Sequence, residues 1–358
     1  MNKEIKCLTG IRGVAALYVV VYHMLHHDVG ITFIKNGYIA VDLFFVLSGF
    51  IMTYTYKDYF SDNISSKSLY IFLNHRYSRV WPTYIFWTAA TAAFIKHIDF
   101  SNYQLVLPNF FMIQSWGLAS SIVGTGWSVS VELLAYIIFP LMCLAVSKAK
   151  LKSSVLLFII LTAALLIVAY NRSHFVTGEQ GGFSGPLDVV AYDGAGALIR
   201  GVSGFCLGVL SWNTYSYLRK NVQAETANKI ATIVALLIII SLSIKGTDIV
   251  SVVLFSVLIP VIGAHETKVG KVLSSKVAYF LGMISYSMYL CHTLFIYDMK
   301  KYFNHIANVA LNNKDISLIA ATIITLAIVT LISYISFVLI ENPTRKLLRT
   351  RNRITTAQ

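Results

Sequence analysis

The chain has 358 residues, of which 56% are hydrophobic and only 13% charged, and its mean hydropathy is +0.68. Soluble domains carry roughly a quarter charged residues, so this composition excludes a soluble globular enzyme and makes lipid the solvent for most of the chain. The formal net charge of +13 does not read as a nucleic-acid footprint, because no soluble segment holds a basic run with interleaved exposed aromatics.

A membrane-spanning helix needs about 20 largely apolar residues, and windows of that kind recur from end to end. They predict an all-α, polytopic bundle of about ten transmembrane helices near 8–28, 38–57, 77–95, 127–146, 154–170, 187–212, 228–244, 248–264, 277–299 and 316–340. The first window has the outline of a signal peptide, but Arg12 interrupts it and no small-residue cleavage site follows, so it is expected to be a permanent helix. The segment 103–116 is too short and polar to span and is expected at the interface, with Tyr103 and Trp116 as anchors. The sixth window opens on Asp188, Asp193, Gly194 and Gly196, and only Lys245-Gly246-Thr247 separates the seventh from the eighth. Cys7, Cys143, Cys206 and Cys291 have neither metal spacing nor a disulfide framework, so they read as small apolar core residues and no metal is expected.

Ten spans put both termini on one side. With the termini inside, twenty basic residues fall in the inner segments and seven in the outer ones. By the positive-inside rule both termini are cytoplasmic, in a multi-pass protein of the plasma (inner) membrane. The economical division is one transmembrane domain over 1–343 and a short basic cytoplasmic tail over 344–358.

Ionisable groups inside spans are costly, and each marks a functional-site hypothesis. Arg12, Arg76, Arg79 and Arg200 are placed in a cationic layer toward the cytoplasm, suited to an anion with several phosphates. Snorkelling and lipid-phosphate anchoring are the rival reading for Arg76 and Arg79. Asp42, Glu132, His23 and His292 are placed toward the outer face. His23 is eleven residues beyond Arg12, on the same helix face and roughly 16 Å further across the membrane. A carboxylate near a histidine is minimum equipment for taking a proton from a hydroxyl. Each of these four, taken alone, also reads as a helix-packing hydrogen bond. Two such layers suggest a tunnel in which a phosphate-rich head is held below while a slender arm carries a reactive group up to His23, and coenzyme A has that shape.

The same residues carry a resemblance. TGIRGVAALYVVVYH (9–23), GYIAVDLFFVLSGF (37–50), RYSRVWP (76–82), WSVSVE (127–132), Arg200-Gly201, FLGMISYSMYLCH (280–292) and ENP (341–343) follow one another as the motifs of the acyltransferase-3 family do, over nearly the whole chain. Thr9 and Ala40 depart mildly from that pattern. The resemblance implies an enzyme that moves an acyl group, most commonly acetyl, from cytoplasmic acyl-CoA to a hydroxyl of a surface or envelope carbohydrate, free or lipid-linked. No tightly bound cofactor is implied, acyl-CoA being a co-substrate. Some members carry a further extracytoplasmic hydrolase-like domain, and here such help is expected from a separate protein.

On this reading His23 is the general base or handles the acyl group, Glu132 orients or stabilises its imidazole, and Arg12, Arg76 and Arg79 hold the coenzyme A phosphates. Asp42 and Arg200 pair with other helices, Ser48, Ser128 and Ser130 are packing hydroxyls, and Trp127 and Tyr286 line the acceptor path or anchor at the interface. His292 is a further polar residue of the path or the packing. The alternatives are a transporter or flippase of an anionic or sugar-lipid substrate, acyl transfer to a lipid, protein or antibiotic, or succinyl-CoA as donor.

Overall fold

The computed structural model describes residues 4–171, 185–189 and 195–347, and among them there are helices and no strands. Ten long helices follow the ten windows: α1 (Lys6–Leu25), α2 (Ala40–Phe60), α3 (Ser66–Ala90), α4 (Gly126–Lys148), α5 (Leu151–Tyr170), α6 (Ala195–Asn221), α7 (Ala224–Leu242), α8 (Asp248–Ala264), α9 (Lys276–Leu311) and α10 (Lys314–Ser336). Eight are long and apolar enough to cross a bilayer. The other two are α8, which has 17 residues, and α3, whose first turns carry Lys67, Asn74, His75, Arg76 and Arg79. The chain is thus a multi-pass helical membrane protein. The start of the predicted tail, 344–347, continues the last helix, and the remainder lies outside the described residues.

Helix α1 packs along α9, and α9 along α10, while α2 packs along α6, which also meets α4, α5 and α8. Two close crossings hold these groups. A Cβ on Gly13 of α1 would stand 2.3 Å from the backbone of Gly282 in α9, and one on Gly208 of α6 would stand 1.9 Å from Val46 O in α2. Lipid offers no hydrophobic drive for helices to associate, so small residues that let backbones touch supply the packing instead. Helix α9 runs past its predicted end at residue 299, and Lys300 on that extension bonds to Met24 O and to Asp28, fixing the far end of α1.

The segment between α3 and α4 departs from expectation. Tyr103 is exposed, as an interfacial anchor would be, but Met112, Gln114 and Ser115 turn into the bundle. Gln114 donates to Tyr84 Oη and Gly126 O at 2.9 and 3.0 Å, and the Trp116 indole donates to Ser130 O at 3.1 Å. A polar backbone at this depth is tolerated because the helices on either side satisfy it.

The second departure concerns Arg200. Residues 185–189 are irregular and helix α6 is described from Ala195, and Arg200 stands near the end of α6 that adjoins the start of α2, not in the opposite half as expected. There it forms a bidentate pair with Asp42, Nε to Oδ1 at 2.9 Å and Nη2 to Oδ2 at 2.6 Å. Both side chains are essentially inaccessible. The guanidinium also donates to Tyr38 O and Val189 O and lies 5.5 Å from the Trp127 ring centre. Leaving one partner of a buried pair alone costs about 3–5 kcal/mol. Arg200→Ala should therefore lower the melting temperature in detergent sharply, whereas the double variant Arg200→Met with Asp42→Leu should lose less, a contrast that thermal unfolding reads directly.

Candidate active site

Helix α1 carries the two ends of the site. Its residues Arg12 and His23 are separated by eleven positions, and the intervening face, with Ala15, Ala16, Val19 and Val20, is buried against its neighbours. Arg12 donates to Gly282 O of α9 at 2.8 Å. From α3, Arg76 donates to Tyr56 Oη at 2.8 Å and lies over that ring at 4.9 Å from its centre.

Arg12, Arg76 and Arg79 all border two cavities and form the neck between them. The larger, about 620 Å³, opens near the start of α1 and is lined by Tyr54, Tyr59, His75, Tyr279 and Arg345 among others. The smaller, about 130 Å³, is mostly apolar, with Val41, Phe44, Phe45 and Met52 in its walls. No carboxylate among the described residues stands at ion-pair distance from any of the three arginines. The Nε atoms of Arg12 and Arg76 are buried without a hydrogen-bond partner. Buried cations are normally paired, so three open guanidiniums around one neck make a site for an anion with several oxygens.

At the far end of the smaller cavity, Ser128 and Tyr289 join their hydroxyls at 2.8 Å. The Tyr289 ring lies 6.0 Å from His292, and His292 lies 4.9 Å from His23, ring centre to ring centre. Nδ1 of His23 faces Val19 O at 2.9 Å, and Nδ1 of His292 faces Met288 O at 3.0 Å. A carbonyl can only accept, so these partners assign the proton of each neutral ring to Nδ1 and leave a lone pair on each Nε2. Nε2 of His292 stands 3.3 Å from Nδ1 of His23, where it is a second acceptor for that N–H. His23 therefore keeps the lone pair of Nε2, its ring held by a carbonyl and by a second, fully buried imidazole, and neither histidine is among the residues that border the two cavities.

Of the four arginines expected to share a layer, Arg12, Arg76 and Arg79 do so and Arg200 does not, and the two histidines meet. Glu132 does not reach His23 as expected: its carboxylate accepts from Ser48 Oγ at 2.7 Å and Tyr136 Oη at 2.6 Å, and His292 supports the imidazole instead. Asp42 and Arg200 pair with each other, and Trp127 packs under that pair, lining neither cavity. Ser128 and Tyr286 border the smaller cavity, while Ser130 is buried and accepts from Ser115 N. Sequence reasoning read Ser48, like Ser128 and Ser130, as a packing hydroxyl only, and passed over Tyr136 and Tyr289. Spacing carried the signal for these two, since Tyr136 lies four residues after Glu132 and Tyr289 three before His292, both one helical turn. Glu341, left without a role in the sequence reading, is turned inward by a π-turn over Phe337–Glu341 and accepts from Ser287 at 2.9 Å.

The sequence model of the acyltransferase domain of the acyltransferase-3 type matches residues 5–338. The chain belongs to the acyltransferase-3 family. Among curated relatives, this family member is 25% identical over 196 residues to the peptidoglycan O-acetyltransferase OatA of Listeria monocytogenes, covering 50% of this chain and 30% of that protein. It is 24% identical over 192 residues to the putative peptidoglycan O-acetyltransferase YrhL of Bacillus subtilis, covering 48% and 29%. It is also 25% identical over 192 residues to the acyltransferase MdmB of Streptomyces mycarofaciens, covering 48% of each chain. The match spans less than half the length of each of these relatives. No solved structure matches the chain. For this acyltransferase the histidine pair gives a direct expectation: His292→Ala should cut the rate of acyl transfer by about 10²-fold or more, the scale of a mispositioned general base. Donor binding measured on the same variant should stay within about twofold, since the arginine neck is intact.

Proposed function

We propose that the protein transfers an acyl group, most commonly acetyl, from cytoplasmic acyl-CoA to a hydroxyl of an envelope carbohydrate, free or lipid-linked. The observation that carries this reading is the neck of three unpaired arginines between a wide polar cavity and a narrow apolar one, with a histidine base beyond it. Phosphates fit the neck, the nucleotide fits the wide cavity with its tyrosines, and the slender acyl-bearing arm fits the narrow one. The positive-inside bias supports a plasma-membrane orientation in which the wide cavity faces the cytoplasm and both termini lie there. A carbohydrate acceptor is supported by the printed names of two relatives, both peptidoglycan O-acetyltransferases, one of them putative.

In the transfer, the acceptor hydroxyl gives its proton to Nε2 of His23 as its oxygen attacks the thioester carbonyl. The C–S bond then breaks and the proton passes from His23 to the leaving thiolate. One proton is taken and one returned, so the step needs no external acid or base. Arg12, Arg76 and Arg79 hold the phosphates, and His292 holds the attacking ring.

Acetyl-CoA binding to the purified protein in detergent tests the reading. Arg76→Ala should weaken binding by about tenfold or more, the scale of one charge-assisted hydrogen bond, and His23→Ala should leave it intact while abolishing transfer. Absence of binding by folded wild-type protein would overturn the donor assignment and favour transport without chemistry.

A further inference from the structure

The smaller cavity contains a carboxylate that proton transfer at His23 does not use. Ser48 and Tyr136 both donate to the same oxygen of Glu132, Oε1. Its other oxygen, Oε2, accepts no hydrogen bond from the described residues, and Glu132 borders the cavity. The neighbouring polar groups are already engaged, since Ser285 donates to Gly282 O and Tyr286 to Val80 O. One carboxyl oxygen is therefore left as an open acceptor facing a mostly apolar slot.

Its depth in the slot follows from α2. Ile51 borders both cavities at the level of the arginine neck. Ser48 is three residues nearer the histidines, and Phe44, four further on, touches the Tyr289 ring at 5.6 Å between centres. At 1.5 Å per residue, Glu132 lies about 4–5 Å beyond the neck and about 6 Å short of the Tyr289 level. A ligand whose phosphates stop at the neck and whose reactive end reaches His23 must pass Glu132 with the middle of its arm. A phosphate that slid deeper would leave the guanidiniums and meet an oxygen acceptor instead of a donor, which defines where the anionic head must halt.

We propose that Glu132 Oε2 accepts a hydrogen bond from an amide N–H of the donor's pantetheine arm, and that this bond sets the register in which the thioester reaches His23. The inference rests on the acyl-CoA reading and adds to it a residue that recognises the arm rather than the phosphates or the acyl group. It also gives Glu132 a role that does not require contact with His23. An amide buried among the apolar walls without an acceptor would lose most of its affinity gain.

Binding of two ligands to full-length protein in detergent separates the possibilities: coenzyme A, and adenosine 3′,5′-bisphosphate, which keeps the nucleotide and phosphate chemistry but lacks the arm. Glu132→Gln retains an oxygen for Ser48 and Tyr136 and turns an NH₂ donor toward the cavity. The expected result is about a ten- to hundredfold weaker binding of coenzyme A, the loss of one charge-assisted hydrogen bond, with the bisphosphate unchanged. Unchanged coenzyme A binding, or equal weakening of both ligands, would overturn the proposal. A ligand-side measurement needs no variant to fold: an analogue with esters in place of the arm amides should bind wild-type protein more weakly than coenzyme A does, and equal affinity would overturn the proposal. If wild-type protein bound neither coenzyme A nor the bisphosphate, the acyl-CoA reading itself would fail, an outcome distinct from failure of the Glu132 contact alone.

Discussion

The ion pair between Arg200 and Asp42 closes a charge at the end of the bundle where α2 and α6 begin, and the open charges elsewhere depend on that closure. In a low-dielectric interior an unpaired ion is expensive. The pair, with Tyr38 O, Val189 O and the Trp127 face around it, engages four of the five guanidinium N–H groups, and Arg200 borders neither cavity. The bundle can then carry three unpaired arginines at the opposite end, where a wide cavity lets water reach them. Charge is paired with a carboxylate in one place, and among the described residues has none at ion-pair distance in the other.

Helix α1 is the rod that relates the two functional levels. Its backbone contact with α9 at Gly13 and Gly282 fixes the distance between the helices that supply His23 and His292. The same crossing supplies Gly282 O to Arg12. A side chain at either glycine would push the helices apart and disturb the neck and the histidine pair together. Lys300, on the extension of α9, holds the far end of α1 through Met24 O and Asp28. Helix α1 is thus anchored on either side of His23.

Between those levels the surroundings change from polar to apolar to polar. Tyrosines, His75 and Arg345 line the wide cavity, the phenylalanine and aliphatic walls of the narrow one follow, and the hydroxyls of Ser128 and Tyr289 lead to the imidazoles. A molecule with a charged head, a thin arm and a small reactive end matches that gradient, with Ser48, Glu132 and Tyr136 together interrupting the apolar stretch.

The sequence by itself determined the helical membrane architecture, because 20-residue apolar windows have few other solutions in a bilayer. It also determined the pairing of Arg12 with His23 on one helix face, because helical periodicity is local, and the ordered motifs pointed to the family. The tertiary structure alone decided which polar groups meet between helices. That Arg200 closes on Asp42, that Glu132 faces Ser48 and Tyr136 rather than His23, and that His292 holds His23 all depend on how the helices are rotated and shifted against one another. Glycine crossings, an irregular stretch at 185–189 and a π-turn at Phe337–Glu341 set those quantities. A hydropathy window cannot resolve them, since a shift of two residues rotates a side chain by about half a turn without changing the window's average.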